Sequence, residues 1–205
     1  MSDYSSPHDP RMEGLRELFS SATHDASAAM CRWTNGLITV ALDDVREIPL
    51  EEVTCDLQFD DDLLTMVVLT LEGELGGNLI LIFDEKNGRQ LVANLLGTSV
   101  ETGGEWSELE QSALTETGNI LGCAYVNALT RLVGKNLVPS PPYFLQDYGV
   151  SVLQQAVMAQ ALVSDTLLLC NIGFHRKDEE LDWRFLFVPT PQMQEAMEQS
   201  LQTIH

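Results

Sequence analysis

The feature that most restricts the fold of this chain is an order of predicted elements that occurs twice along its 205 residues. Each half contains a long helix, a strand, a short helix, a hairpin and a further helix. The shift that places Glu17 on Glu116 also places Ala29 on Ala128. A repeated order of this kind indicates a duplicated unit. We therefore predict an α/β fold of the α+β type, with two helix-plus-hairpin units related by pseudo-twofold symmetry and long helices packed on a β-sheet.

The first repeat is expected at about residues 11–97. Residues 1–10 contain two prolines and mostly polar groups, so we expect a disordered tail there. Periodicity and turn residues then predict a helix at 12–34, a strand at 37–42, a short helical turn at 48–53, hairpin strands at 63–71 and 78–83, and a helix at 85–96. Gly97 ends that helix and a linker follows it.

The second repeat is expected at about residues 105–205. It contains a long helix at 107–134, extended pieces at 137–138 and 143–144, a mainly helical segment at 150–162, hairpin strands at 167–174 and 183–188 joined by a charged turn, and a last helix at 191–204. The two repeats together form one predicted domain over residues 11–205.

The long helix at 107–134 has both of its ends marked and two different faces. Ser107 and Glu110 have the spacing of a capping box, and Gly134 supplies a left-handed stop. Apolar residues recur at helical spacing and predict a buried stripe: Leu114, Leu121, Tyr125, Ala128 and Leu132. A second face carries small and polar groups that packing does not require: Ser112, Glu116, Asn119 and Cys123. This face is either a solvated helix surface or a functional one.

Two glycines interrupt this helix, and they have two possible explanations. Gly118 and Gly122 each cost about 1 kcal/mol relative to alanine in a helix interior. Together with Ala113 they leave room for the backbone of another molecule to approach. The alternative is tight packing of the helix on its own sheet or on the first helix. The sequence does not separate these two explanations.

The charge of the chain excludes several classes of partner. Eleven basic residues against 31 acidic ones give a net charge of −20. This charge repels phosphate backbones and anionic lipid headgroups, so we expect neither nucleic acid nor membrane partners. The first residues contain no apolar leader, and the apolar runs are far shorter than a membrane span. These features predict a cytoplasmic protein.

The cysteines and histidines suggest no metal site or catalytic triad. Cys31, Cys55, Cys123 and Cys170 contain no CxxC pair and have apolar neighbours, which predicts ordinary buried thiols. His24 lies among alanines of the first helix and is expected to be a half-buried packing residue. We therefore predict no metal ion bound by the chain itself.

Four residues of the second repeat have a specific spacing. Ser112, Glu116 and Asn119 are separated by three and two intervening residues, and Pro142 follows after 22 more. This pattern resembles the signature of the CheC, CheX and FliY chemotaxis phosphatases, which is an Asp or Ser, a Glu, an Asn and a distant Pro at this spacing. The surrounding sequence SALTETGNILGCAYVNAL is also similar to CheC. The resemblance in layout covers residues 11–205.

The resemblance implies a hydrolase of two-component signalling that removes the phosphoryl group from an aspartate of a CheY-like response regulator. The receiver domain of that partner would supply the magnesium ion. By the same resemblance, Asn119 would orient the attacking water and Glu116 would pair with a lysine of the receiver. Ser112 and Pro142 would shape the edge of the site. The alternative is a non-catalytic CheC-fold protein that binds a receiver or a flagellar-switch component.

The first repeat departs from the pattern. Glu17 matches Glu116, but Ser20 takes the place of Asn119, Glu13 that of Ser112, and Asp43 that of Pro142. A serine is too short to hold a water where an asparagine amide would hold it. We therefore predict one working site, on the 107–134 helix, and a degenerate first site. The same losses leave association with the deamidase CheD an open question.

Overall fold

The computed structural model describes residues 9–49, 51–52, 63–100, 103–148, 151, 166–176, 179–181 and 183–204. Within these residues there are four helices: α1 (Pro10–Trp33), α2 (Glu85–Leu96), α3 (Glu108–Val133) and α4 (Pro191–Ile204). Asp9 caps α1 by accepting a hydrogen bond from the backbone N–H of Arg11, so α1 begins two residues before the predicted start. The predicted bounds of α2 and α4 are confirmed.

The described strands form one antiparallel sheet: β1 (Thr39–Pro49), β2 (Leu63–Glu72), β3 (Gly77–Phe83), β4 (Val138–Pro139), β5 (Tyr143–Tyr148), β6 (Thr166–Arg176), β7 (Glu179–Leu181) and β8 (Trp183–Pro189). The order across the sheet is β1-β6-β8-β3-β2-β4, with β5 also paired to β2 and β7 paired to β6. β7 lies within the predicted charged turn, because pairing with β6 continues beyond the predicted end of that strand.

The order of strands has the predicted pseudo-twofold symmetry. At its centre β3 of the first half pairs with β8 of the second, with Ile80 opposite Leu186. On one side β1 of the first half pairs with β6 of the second, and on the other β5 of the second half pairs with β2 of the first. A strand that precedes the hairpin in each half therefore pairs with the hairpin of the other half. The predicted α+β fold with two related units is confirmed.

The sheet is buried on both faces, as the continuous apolar runs of its strands indicate. Val67 and Leu69 of β2 belong to the large core cluster shared with the helices. Met66 and Val68, which point to the other face, belong to a second buried cluster. The main core thus lies between the helices and one face of the sheet.

The first strand is longer than predicted, and the predicted helical turn at 48–53 is wrong at its start. β1 continues to Pro49, and Ile48 and Pro49 pair with β6. A bulge between Leu42 and Asp44 shifts the register. Because of this bulge Val40 and Val45, five positions apart, both join the helix-side core. The sequence pattern therefore stopped resembling a strand at the bulge, although the strand continues.

Some predictions fall outside the described residues. These are the tail over residues 1–8, residues 50 and 53 of the helical turn at 48–53, the buried thiol at Cys55, and the helix at 150–162 apart from residue 151. Within the described part of the chain, no helix is both long enough and apolar enough to cross a membrane.

Side-chain hydrogen bonds join α1 to α3. The hydroxyl of Thr23 lies 2.5 Å from that of Tyr125, and Thr23 also donates to the backbone oxygen of Phe19. Since Thr23 has one hydroxyl proton, Tyr125 is the donor in the first of these bonds. Further along, Nε1 of Trp33 donates to Oγ1 of Thr117 at 3.1 Å. These bonds fix the rotation of α3 about its axis and so determine which residues face outward.

Gly118 and Gly122 face the sheet. A Cβ on Gly118 would lie 2.5 Å from Cγ1 of Val67, and one on Gly122 would lie 2.6 Å from Cδ2 of Leu69. Both distances are far below van der Waals contact, so the glycines allow α3 to lie close to β2. Packing on the sheet is therefore the correct explanation of the two, and an approach by another backbone at these positions is not.

We expect Gly118→Ala to lower the free energy of unfolding by about 1–3 kcal/mol, measured by urea denaturation. The added methyl overpacks the contact with Val67, and this cost exceeds the helix propensity gain of up to about 1 kcal/mol. In a Val67→Ala background the same change should be neutral or stabilising, because the space is then available. A Gly118→Ala protein as stable as the parent would contradict the packing argument.

Candidate active site

The start of α3 is held by a capping box and a buried arginine. Ser107 and Glu110 form the predicted capping box, with both reciprocal hydrogen bonds present. Nη1 of Arg89 on α2 donates to Oε1 of Glu110 at 2.8 Å, and its side chain is only 3% exposed. The guanidinium also lies 4.0 Å from the ring centroid of Trp106 and donates to the backbone oxygen of Gly104. These contacts fix the N-terminal end of α3 against α2.

The pKa of Glu110 is lowered by this arrangement. Burial acts to raise it, but hydrogen bonds from the backbone and hydroxyl of Ser107 and from Arg89 outweigh burial. The carboxylate is therefore ionised. It accepts hydrogen bonds both from Arg89 of α2 and from Ser107 at the N-cap of α3.

α3 presents the two predicted faces. Its apolar stripe is confirmed, with Leu114, Leu121 and Tyr125 fully buried. The opposite side contains Ser112, Glu116 and Cys123, which are exposed, and Asn119, which is half-buried. We call these four residues the α3 polar face. The left-handed Gly134 ends the helix as predicted.

Three side chains of the α3 polar face contact one another. Nδ2 of Asn119 donates to Oε2 of Glu116 at 3.4 Å. Sγ of Cys123 donates to Oδ1 of Asn119 at 3.6 Å. The Asn119 amide is thus held between a carboxylate one turn before it and a thiol one turn after it. The prediction that Cys123 is a buried thiol is wrong, since the helix rotation set by α1 and β2 turns this position outward.

The pKa of the Cys123 thiol is raised, first by its partial burial and then by the negative charge of Glu116. The thiol is therefore protonated near neutral pH. A protonated thiol is a hydrogen-bond donor, which suits its contact with the Asn119 carbonyl oxygen.

The two remaining predicted site residues are Ser112 and Pro142. Ser112 lies one turn before Glu116 on the α3 polar face. Pro142 is half-buried and directly precedes β5. The ring of Phe144 on β5 packs edge-on against Trp106, with 5.8 Å between the ring centroids. Pro142 therefore directly precedes a strand that is fixed beside the start of α3.

The degenerate residues of the first repeat meet at one place. Glu17 and Ser20 of α1 and Asp43 of β1 all line an open cavity of about 740 Å³. Their convergence supports the alignment of the repeats, because residues distant in sequence come together as the motif requires. Arg16 and His24 also line this cavity. His24 is exposed, so the prediction of a half-buried packing residue is wrong.

Within the described residues, no group of three or more His, Cys, Asp or Glu side chains is arranged to hold a metal ion. The carboxylates of the first-repeat cavity are partly paired already, as Asp44 forms an ion pair with Arg46, with 2.9 Å between Oδ2 and Nε.

Comparison with known proteins gives a consistent result. No family model matches the chain. The CheY-P phosphatase CheC of Bacillus subtilis (strain 168) is 26% identical over 174 residues, which cover 83% of each protein. The Thermotoga maritima FliY structure superposes with a TM-score of 0.71 at 18% identity, covering 98% of this chain and 100% of FliY. The chain is similar to CheC-like chemotaxis proteins in sequence and in fold.

A third comparison concerns a complex. A chain of the CheX–CheY–BeF3–Mg complex from Borrelia burgdorferi has a TM-score of 0.52 at 15% identity, covering 87% of this chain and 99% of that one. The fold of this chain therefore recurs in that chain of the complex as well as in FliY.

Sequence reasoning missed the role of Arg89 at the start of α3 and the roles of two residues that line the first-repeat cavity, Arg16 and His24. Arg89 was not singled out because an arginine inside a helix resembles any surface charge. Arg16 and His24 were missed because β1 was predicted to end before it reached them. The signal available for Cys123 was its position four residues after Asn119, which places it on the α3 polar face.

Proposed function

We propose that this CheC-like chain is a phosphatase that hydrolyses the phosphoaspartate of a CheY-like receiver domain at the α3 polar face. The observation that carries this proposal is the pairing of Glu116 with the Asn119 amide on the outward side of a helix that is fixed at its start, along its buried face and against β2. The sequence identity of 26% to the CheY-P phosphatase CheC, over 83% of the chain, supports the proposal.

The chemistry requires positioning more than acid or base catalysis. Water attacks the phosphorus, the bond from phosphorus to the aspartate oxygen breaks, and the products are inorganic phosphate and a free carboxylate. The carboxylate is a good leaving group, and the receiver would contribute a magnesium ion and a lysine that neutralise charge. What remains is to hold the water in line with the breaking bond. No metal ion of the chain itself is needed.

Asn119 suits this task because its amide both donates and accepts hydrogen bonds and does not titrate. A glutamine has the same role toward water in small GTPases. The half-buried position of Asn119 restricts its side chain, which lowers the entropy lost on fixing a water.

Glu116 is proposed to dock the receiver. Its exposed carboxylate can pair with a lysine beside the phosphoaspartate and so place Asn119 in register. Ser112 and Pro142 are proposed to form the edges of the site.

The first repeat is proposed to lack this activity. Glu17 remains, but Ser20 does not reach as far as an asparagine amide, and Asp43 brings a negative charge to the position of Pro142. That charge would repel a phosphoryl group.

The test is the lifetime of a phosphorylated CheY-like receiver in excess magnesium, with and without substoichiometric amounts of this protein. We expect the lifetime to shorten and each protein molecule to turn over many receivers. Binding is measured in parallel with the beryllofluoride form of the receiver. Receivers that bind but keep their intrinsic lifetime would show a non-catalytic CheC-fold protein and overturn the proposal.

A further inference from the structure

The amide of Asn119 has two possible orientations that differ by a flip about its last torsion. In the observed one, Nδ2 faces the carboxylate of Glu116 and Oδ1 faces the thiol of Cys123. In the flipped one, Oδ1 would face that carboxylate, which is repulsive, and the thiol sulfur would accept from the amide instead of donating to it. The Glu116 carboxylate therefore selects the observed orientation, in which the thiol donates to Oδ1.

Docking of a receiver changes this balance. In the proposed function a lysine of the receiver forms an ion pair with the Glu116 carboxylate. The contact between Glu116 and Asn119, already long at 3.4 Å, then weakens because the carboxylate has a charged donor. The contact with Cys123 is on the other side of the amide and is not exchanged. Cys123 is therefore the neighbour that holds the amide while the reaction takes place.

We propose that Cys123 is a positioning residue of the phosphatase reaction, whose thiol keeps Oδ1 of Asn119 in place after Glu116 has engaged the receiver. This inference rests on the proposed function. One acceptor site of Oδ1 and one donor of Nδ2 remain for the water, since each atom uses only one of its two sites on its neighbour. The raised pKa of the thiol keeps its proton available for this contact near neutral pH.

The size of the effect follows from the weakness of S–H donors. Such bonds are second-order interactions of well under the strength of an N–H donor. We therefore expect Cys123→Ala to lower kcat about two- to fivefold with KM unchanged, because docking depends on Glu116 and not on the thiol. Cys123→Ser, which keeps a donor at this position, should restore most of kcat.

A double-variant comparison separates positioning from a structural effect. In an Asn119→Ala background, Cys123→Ala should have no further effect on kcat, because the group that the thiol positions is absent. An equal loss in both backgrounds, an equal loss with serine and alanine, or an unchanged kcat in Cys123→Ala would each overturn the inference.

A measurement on the free protein keeps this test apart from that of the proposed function. The side-chain NH₂ group of Asn119 can be followed by ¹⁵N relaxation without any receiver. We expect Cys123→Ala to increase its mobility and Cys123→Ser to leave it near the parent value. If the parent protein has no phosphatase activity, the proposed function is wrong. Independently of that result, equal NH₂ mobility in the parent, Cys123→Ala and Cys123→Ser proteins would show that the thiol does not restrain the Asn119 amide, and would overturn the inference.

Discussion

Replacing Asn119 with alanine should slow dephosphorylation of the receiver about 100-fold when all of the receiver is bound, the loss typical of a preorganised group that acts in the transition state. The variant keeps the helix, since alanine is the best helix former and Asn119 points away from the core. The attacking water loses the group that holds it in line, so the effect falls on kcat. The measurement is single-turnover decay of phosphorylated receiver with excess phosphatase.

Two variants serve as controls for this result. Ser20→Ala makes a comparable truncation at the corresponding position of the first repeat and should leave the rate within about twofold of the parent. Glu116→Ala should raise KM as well as lower kcat, because it removes the docking carboxylate. An Asn119→Ala protein with the parent rate would exclude the water-positioning role, whatever the effect of Glu116→Ala.

Replacing Arg89 with alanine should lower the free energy of unfolding by about 3 kcal/mol, the lower end of the range for breaking a buried ion pair. Glu110, which retains 19% exposure, loses its charged partner and the ring of Trp106 loses the guanidinium above it. The junction of α2 with the start of α3 therefore loosens. Urea denaturation followed by circular dichroism measures the change.

Two further variants separate charge from packing. Arg89→Met keeps most of the volume, and Glu110→Gln keeps a residue type that forms a capping box. The Arg89→Met/Glu110→Gln double variant should lose less free energy of unfolding than the sum of the losses in the two single variants. Each single variant already removes the interaction between the two side chains, so the double variant loses that interaction only once. Full additivity would show that Arg89 and Glu110 do not interact.

The pH dependence of stability gives an independent check on the same pair. The pKa of Glu110 is lowered in the folded state, so its stabilisation is complete above the unfolded value of about 4.5 and is lost as pH falls through the lower, folded pKa. In the Arg89→Met variant the pKa of Glu110 is lowered less, because the hydrogen bond and the charge of Arg89 are absent. The stability difference between parent and variant should therefore narrow in acid and be largest near neutral pH.

Much of the site was predictable because it depends on local chemistry. The capping box of Ser107 and Glu110 and the stop at Gly134 depend on backbone groups within one turn of the helix. The helical period alone places Glu116 and Asn119 opposite the buried stripe. The sequence predicted that the two halves are related by pseudo-twofold symmetry. It did not predict that β1 pairs with β6 of the second half and β5 with β2 of the first.

By itself, the sequence determined the ends and faces of α3, the duplicated order of elements and the spacing of the motif, since each depends on residues close together along the chain. The tertiary structure decided the rest. The bulge that carries β1 to Pro49 depends on pairing with β6. The role of Gly118 depends on Val67 of β2. Contacts between residues far apart in sequence determine these features, and no local period or spacing carries that information.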